Sequence, residues 1–255
     1  MTRPGGLGEG GRGGGAYDVV VIGAGACGCE AAARLGRLGY DVLLVTTSLD
    51  TVFAAPVERV VAAAPDDTLM AEVLPELRVA SDGTIGAWEL HAAAKYLLEA
   101  EPNVHLLQSN VDALNVHDGT VRGIETWEGV PRAARAVALC VGSFLRARLR
   151  VGDAEESAGR PGEMAYDALA DQLAELRLPL TTVHASGSDA GHPSWSVRFE
   201  RLADGALGGT RVHLVAGLYA AGICTAGPMS YEAAAQDGAR LARDVAADLG
   251  PVHAA

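Results

Sequence analysis

The chain has 255 residues, of which 20 are basic and 32 acidic, giving a formal net charge of −12, and 49% are hydrophobic. A chain of this length buries a sizeable core as one large domain, and its acidic balance excludes a general electrostatic footprint for nucleic acid while leaving room for a local basic patch. No apolar run is long enough to cross a bilayer, and the opening MTRPGGLGEGGRGGG lacks the apolar centre of a signal peptide, so a cytoplasmic protein without membrane attachment is expected.

Residues 1–15 are too glycine-rich to bury apolar surface and are expected to form a flexible tail, followed by a single domain over residues 16–250. From Tyr17 to Val45 the run YDVVVIGAGACGCEAAARLGRLGYDVLLV reads as strand, glycine turn, helix and second strand. The apolar run Val19 to Ile22 suits a strand buried on both faces. The turn Gly23, Ala24, Gly25, Ala26, Cys27, Gly28 carries G-x-G-x-x-G. In such a turn the first glycine permits the bend, the second admits a pyrophosphate and the third lets helix lie on strand, while free amides at the helix start face the phosphates. The flanking strands and helix favour a dinucleotide site over a purely structural glycine turn. One part of that fingerprint is missing. A carboxylate is expected about 20 residues on, to hold a ribose hydroxyl, and this chain has Thr46, Thr47 and Ser48 there.

Pro56, Pro65 and Pro75 break residues 48–85 into short helices and loops, with Asp66 and Asp67 marking a helix start. Ala87 to Glu101 reads as an amphipathic helix with Trp88, Ala92, Leu97 and Leu98 on its apolar side, ended by Pro102. A strand at 104–108 precedes a hairpin, 111–116 and TVRGIETW, around Asp118 and Gly119. Residues 136–144 read as another buried strand ending at Gly142, where the chain passes close to something, at the strand edge where ligands of doubly wound sheets sit. A helix near Met164 to Leu178 follows, with Leu169, Leu173 and Leu176 as a core stripe. LPLTTV is a strand, HASGSDAGHP a loop, and WSVRFERL with TRVHLV a second hairpin about Asp204 and Gly205. GLYAAG is a last buried strand, and Ser230 caps a helix through about Leu249.

The four cysteines, Cys27, Cys29, Cys140 and Cys224, have no zinc spacing, and the seven histidines are scattered, so no metal is expected. Reduced thiols are the default. Cys27 and Cys29 fall in a first helical turn, whose dipole lowers a thiol pKa, which allows a redox role beside the role of small core residues.

The blocks VIGAGACGCEAA, LLVTTSLDT, AVALCVGSFLRARLRVG, ESAGRPGE and LYAAGICTAGPMSYEAAAQDG, in that order, resemble the glucose-inhibited division protein A (GidA/MnmG) family of flavoproteins that modify the wobble uridine of tRNA. The match is to a short, stand-alone relative. It implies an α/β fold, a doubly wound parallel sheet of the Rossmann-like, glutathione-reductase type with an inserted antiparallel β element, and it implies FAD. The family also has threonine at the place of Thr46. Carried over by residue, the cofactor contacts are the turn Gly23 to Gly28, Val111 beside the adenine end, Ser157, and Gly222 with Ile223; the candidate set is completed by Thr46 and Thr47 at the end of the second strand, Gly142 at the strand edge, and Tyr231, which lies in a block expected near the flavin. The helix from Ser230 should aim its N-terminus at the flavin. Arg160, Glu232 and Cys224 lie in blocks expected near the flavin, without an assigned catalytic role. Ile223 stands where the family has glutamine.

Other departures bear on activity. The family's S-C-N-P-x-I-G-G segment is replaced by TVFAAPVERVVAAA, and its Lys–Thr–Gly–Thr–Pro–Pro–Arg stretch by VHASGSDAGHP. The resemblance therefore implies an FAD-dependent oxidoreductase acting on an unidentified small-molecule or protein substrate, without tight direct binding of nucleic acid. The alternatives are an FAD-holding accessory module of a tRNA-modifying assembly and a flavin-binding protein without turnover.

Overall fold

The computed structural model describes residues 16–54, 57–187 and 194–252. The expected tail at 1–15 and residues 188–193 of the expected loop lie outside the described residues. Strand β1 (Tyr17–Ile22), helix α1 (Ala26–Arg37) and strand β2 (Val42–Thr46) form the βαβ unit, with β1 and β2 parallel from Val19 opposite Val42 to Ile22 opposite Val45. Residues 57–86 are short pieces, as Pro65 and Pro75 dictate: β3 (Arg59–Val61), α2 (Leu69–Val73) and β4 (Thr84–Gly86), with β3 and β4 pairing into a small ribbon. The cap of α2 is Thr68, whose Oγ1 accepts the Ala71 amide; Asp67 precedes it at φ 62°. The acidic pair thus sits just outside the helix, where a short side chain tolerates a left-handed backbone.

Helix α3 (Ala87–Ala100) has the expected span but a different buried side. Ala87, Leu90, His91, Ala94 and Leu98 face the core, whereas Trp88 is 68% exposed. The buried set follows the spacing i, i+3, i+4, i+7 that one helical face requires. Trp88, although the largest apolar residue of the run, lies off that face.

Strand β5 (Val104–Gln108) pairs parallel with β2, and β6 (Val111–His117) with β7 (Thr120–Thr126) form the expected hairpin, with Asp118 and Gly119 at φ 49° and 70°. Strand β8 (Pro131–Leu139) starts earlier and stops sooner than expected. Its first residues pair antiparallel with β7, and from Ala134 it runs parallel to β1. Cys140 to Phe144 are therefore loop. Next come β9 (Arg148–Val151), β10 (Ala154–Glu156), the short hairpin β11 (Ala158–Arg160) and β12 (Glu163–Met164), and α4 (Asp167–Glu175), which buries Leu169 and Leu173.

The second hairpin differs from expectation. Strand β14 (Trp195–Leu202) turns back on β13 (Leu180–Gly187), in register from Leu180 opposite Leu202 to Gly187 opposite Trp195. With β9 and β10 these two form a four-stranded antiparallel sheet in the order β10-β9-β14-β13. The TRVHLV run contributes only to the main sheet, where β15 (Leu207–Gly208) and β16 (Arg211–Val212) extend β17 (Leu218–Ala220). The parallel core of that sheet has the order β17-β8-β1-β2-β5. The chain closes with α5 (Ile223–Ala226) and α6 (Tyr231–Leu249), the latter capped by Ser230, whose Oγ accepts the Ala233 amide.

The parallel strands are buried on both faces, and alternate residues feed two cores. Val19, Val21, Val42 and Leu44 pack with α1, α3 and α6, whereas Val20, Ile22, Leu43 and Val45 pack under the β6–β7 hairpin and α4. Helix α6 crosses α1 so closely at Gly238 that a Cβ there would lie 2.4 Å from the Cys27 carbonyl oxygen. The α/β fold with a mainly parallel sheet and inserted antiparallel β structure is thus present. No helix among the described residues is long and apolar enough to cross a membrane.

Candidate cofactor-binding site

The carboxyl ends of β1, β2, β8 and β17 meet along one edge of the sheet, where a cavity of about 570 Å³ opens. Cofactor and small-molecule sites typically measure roughly 300–1,000 Å³ and favour this edge. Each strand end delivers lining residues: Gly23, Ala24, Gly25, Ala26 and Cys27 after β1, Thr46 and Thr47 at β2, Gly142 after β8, and Gly222 with Ile223 after β17. Tyr231, from the first turn of α6, completes the set, and its hydroxyl donates to the Phe53 carbonyl at 3.1 Å.

Gly25 has an ordinary extended backbone, φ −73°, and a Cβ built there meets nothing within 4 Å. A side chain at this position would enter the cavity and not the protein. Gly28 is the opposite case. It stands outside the lining, and a Cβ there would come within 1.9 Å of the Gly23 carbonyl oxygen, so this glycine sets how closely α1 lies on the turn. The first bond into α1 runs from the Cys29 amide to the Gly25 carbonyl, 2.9 Å, and the amides before it have no intrahelical partner. Helix α6 also begins at the cavity, through Ser230 and Tyr231. Two positive helix ends therefore converge on one space.

Three expected contacts lie elsewhere. Gly28 is beneath the turn; Val111 is fully buried in the core layer under β6–β7; Ser157 donates to Asp167 Oδ2 at 2.9 Å and accepts from Arg148 at 3.0 Å. Gly142 does line the cavity, but it owes its place to a left-handed φ of 58°: nothing presses on it more closely than Phe144 at 3.9 Å. Arg160 is at the cavity, whereas Cys224 is fully buried in the core and Glu232 is exposed.

Sequence reasoning missed two groups. The antiparallel sheet supplies an apolar wall of Leu149, Val151, Trp195, Val197 and Phe199. The period-two alternation in WSVRFERL marks one apolar face of a strand, but nothing local says which cavity it covers. The other group is Glu163, 7% exposed, which accepts from Thr47 Oγ1 at 2.5 Å and lines the cavity.

The thiols behave as core residues. Cys27 Sγ lies 3.8 Å from Cys140 Sγ, and its pKa is pushed well up by that contact and then by burial, against the lowering expected from the helix dipole. Burial likewise pushes Cys224 up to about 12 and raises Cys29. All four cysteines are unpaired by disulfide. Burial also raises the Tyr231 hydroxyl above the usual phenol range. Among the described residues no group of three or more His, Cys, Asp or Glu side chains could hold a metal ion.

The family model for glucose inhibited division protein A matches residues 18–87 and 76–188. The tRNA uridine 5-carboxymethylaminomethyl modification enzyme MnmG of Alkaliphilus oremlandii (strain OhILAs) is 31% identical over 191 residues, 64% of this chain and 30% of that protein. The MnmG of Syntrophobacter fumaroxidans (strain DSM 10017 / MPOB) is 31% identical over 210 residues, 73% of this chain and 33% of its own length. The chain thus spans about 30% of the length of these relatives. The crystal structure of the GidA-related protein from Thermus thermophilus superposes with a TM-score of 0.78 at 32% identity, covering 92% of this chain and 100% of that one. Aquifex aeolicus GidA, form I, gives a TM-score of 0.81 at 15% identity over 94% of this chain and 67% of that one, a likeness of fold. With the family model matching well over half of the chain, the chain belongs to the glucose inhibited division protein A family.

Proposed function

We propose that the protein is an FAD-dependent oxidoreductase that acts on a small-molecule or protein substrate at the cavity described above. FAD is the cofactor implied by the family and the fold. The carrying observation is the bare Gly25 facing the cavity at the start of a 12-residue helix, with open space where a side chain would stand. The residues fit the group. The first amides of α1 would hold the pyrophosphate, and the Leu149, Trp195 and Phe199 wall would keep water from a ring system. Bound flavin supplies reversible electron transfer. The N-terminus of α6 favours negative charge in the cavity, and Tyr231, tied to Phe53, fixes the entry of that helix.

Purified protein should be yellow, and denaturation should release FAD, identified by chromatography and mass. Anaerobic reduction by a nicotinamide and reoxidation by an acceptor at catalytic rates tests the enzyme reading. Recovery of NAD alone, or of no nucleotide from folded protein, refutes the cofactor assignment, and a flavin that no donor reduces refutes turnover.

A second reading is favoured by the 31% identity to proteins named as tRNA uridine modification enzymes: an FAD-holding module that works with a partner supplying the RNA contacts. Purification of native complexes separates the two, since only the module requires a partner that carries RNA.

A further inference from the structure

The missing carboxylate at the end of β2 reappears in three dimensions. Glu163 is 116 residues beyond Thr47, yet its Oε2 accepts the Thr47 hydroxyl at 2.5 Å. The β11–β12 hairpin delivers it: Arg160 and Glu163 are cross-strand partners, and Arg160 Nη1 approaches Glu163 Oε1 at 3.4 Å while its Nη2 donates to the Ala54 carbonyl at 3.0 Å. Thr47, Arg160 and Glu163 all line the cavity. A carboxylate this buried must be paired, and both oxygens are, one to each neighbour. A carboxylate accepts about four hydrogen bonds, so after these two it retains capacity for two donors, the number that a vicinal diol offers. Dinucleotide sites place an acid on the ribose from the end of the second strand; here that strand end is a hydroxyl that orients an acid arriving from elsewhere.

We propose that Glu163 holds the ribose hydroxyls of the adenosine half of the cofactor, with Thr47 and Arg160 positioning its carboxylate. This rests on the reading of the cavity as an FAD site. A competing role, in which Glu163 merely clamps the hairpin to β2, would weaken binding of every nucleotide alike, because it concerns the shape of the cavity and not the sugar. The two roles separate on the ribose itself.

The test is the dissociation constant of FAD, and of FAD carrying 2′-deoxyribose in its adenosine half, for the apoprotein and for Glu163→Gln and Glu163→Asp, read by flavin fluorescence. Melting of each apoprotein establishes that it is folded. The wild type should prefer FAD by about 10-fold or more, the loss expected for one hydrogen bond to a charged acceptor. Glu163→Gln should bind FAD roughly 10-fold more weakly and lose most of that preference, while Glu163→Asp, which keeps the charge, should retain part of it. Weaker FAD binding with the preference intact in Glu163→Gln overturns the proposal in favour of the clamp, and so does a wild type that binds both cofactors equally. A folded wild type that binds no FAD brings down the FAD reading itself, and this assignment with it.

Discussion

Gly25 and Gly28 stand in one turn yet do different work, which allows folding and cofactor binding to be perturbed separately. In Gly28→Ala the new Cβ would lie 1.9 Å from the Gly23 carbonyl oxygen, about 1.1 Å short of the 3.0 Å below which Cβ contacts essentially do not occur. The obstacle is backbone, so α1 must lift from the turn. Overpacking of this kind costs about 1–3 kcal/mol, and the first-turn position recovers little of the roughly 1 kcal/mol by which alanine is favoured over glycine inside helices. A net loss of about 2 kcal/mol lowers the Tm of a chain this size by about 4–8 °C. In Gly25→Val the backbone is already extended and the side chain meets no protein atom within 4 Å, so the apoprotein loses only the modest N-cap preference, at most about 1 kcal/mol. Its methyl groups instead occupy the pyrophosphate's place, and loss of two charge-assisted hydrogen bonds there should weaken FAD binding by at least about 100-fold. The assay is apoprotein melting by circular dichroism, beside FAD titration of both variants. Undiminished FAD affinity in folded Gly25→Val would refute the placement of the cofactor. A wild-type Tm in Gly28→Ala would refute the packing argument.

The four buried thiols should resist iodoacetamide at pH 8 in the folded protein and all react in denaturant, as counted by mass; rapid native labelling of Cys27, whose pKa is raised, would restore its redox candidacy. Stability should fall in acid through the pair of carboxylates on Arg211. Burial pushes Asp244 up, but bonds from Thr210 and Arg211 outweigh it and hold the carboxyl below the usual range; the Arg211 bond, with help from Tyr219, does the same for Asp248 despite some burial. A depressed carboxyl stabilises above its unfolded pKa of about 3.9 and loses that contribution as pH falls through the folded value. Arg211→Ala should therefore flatten the decline in Tm below about pH 5 and, its partners being partly exposed, cost about 1 kcal/mol at pH 7; an unchanged acid profile would show that the pair is idle. The chain alone, at net charge −12, should neither bind tRNA tightly at physiological salt nor modify it when reduced and given a folate donor. A mass-shifted uridine without any partner would overturn that expectation.

What could be learned from sequence alone was whatever is decided within about 30 consecutive residues. The β1–α1–β2 unit is specified by four apolar residues before three spaced glycines, because a glycine turn and a strand buried on both faces each leave a local mark. The Asp118–Gly119 hairpin and the Ser230 cap were legible for the same reason: turn geometry and capping bonds reach only a few residues. The blocks of family resemblance added the distant strands of the sheet and the edge that carries the site, with eleven of the named residues meeting at one cavity.

Tertiary structure decided what depends on distant partners. Two apolar strands do not announce whether they pair with each other or with a third, so β14 joined β13 and β9 and not the run after Asp204. Hydrophobicity does not reveal which face of a helix is covered, and Trp88 of α3 stayed outside while His91 went in, its Nδ1 bonded to the Val52 carbonyl. The dipole at the start of α1 was outweighed at Cys27 by the contact with the Cys140 thiol, 113 residues away, and by burial. Most consequential is the acid absent after β2. Only folding, by laying the β11–β12 hairpin over the end of that strand, brings the Glu163 carboxylate to Thr47, because a side chain acts where its backbone is carried and not where its place in the sequence would put it.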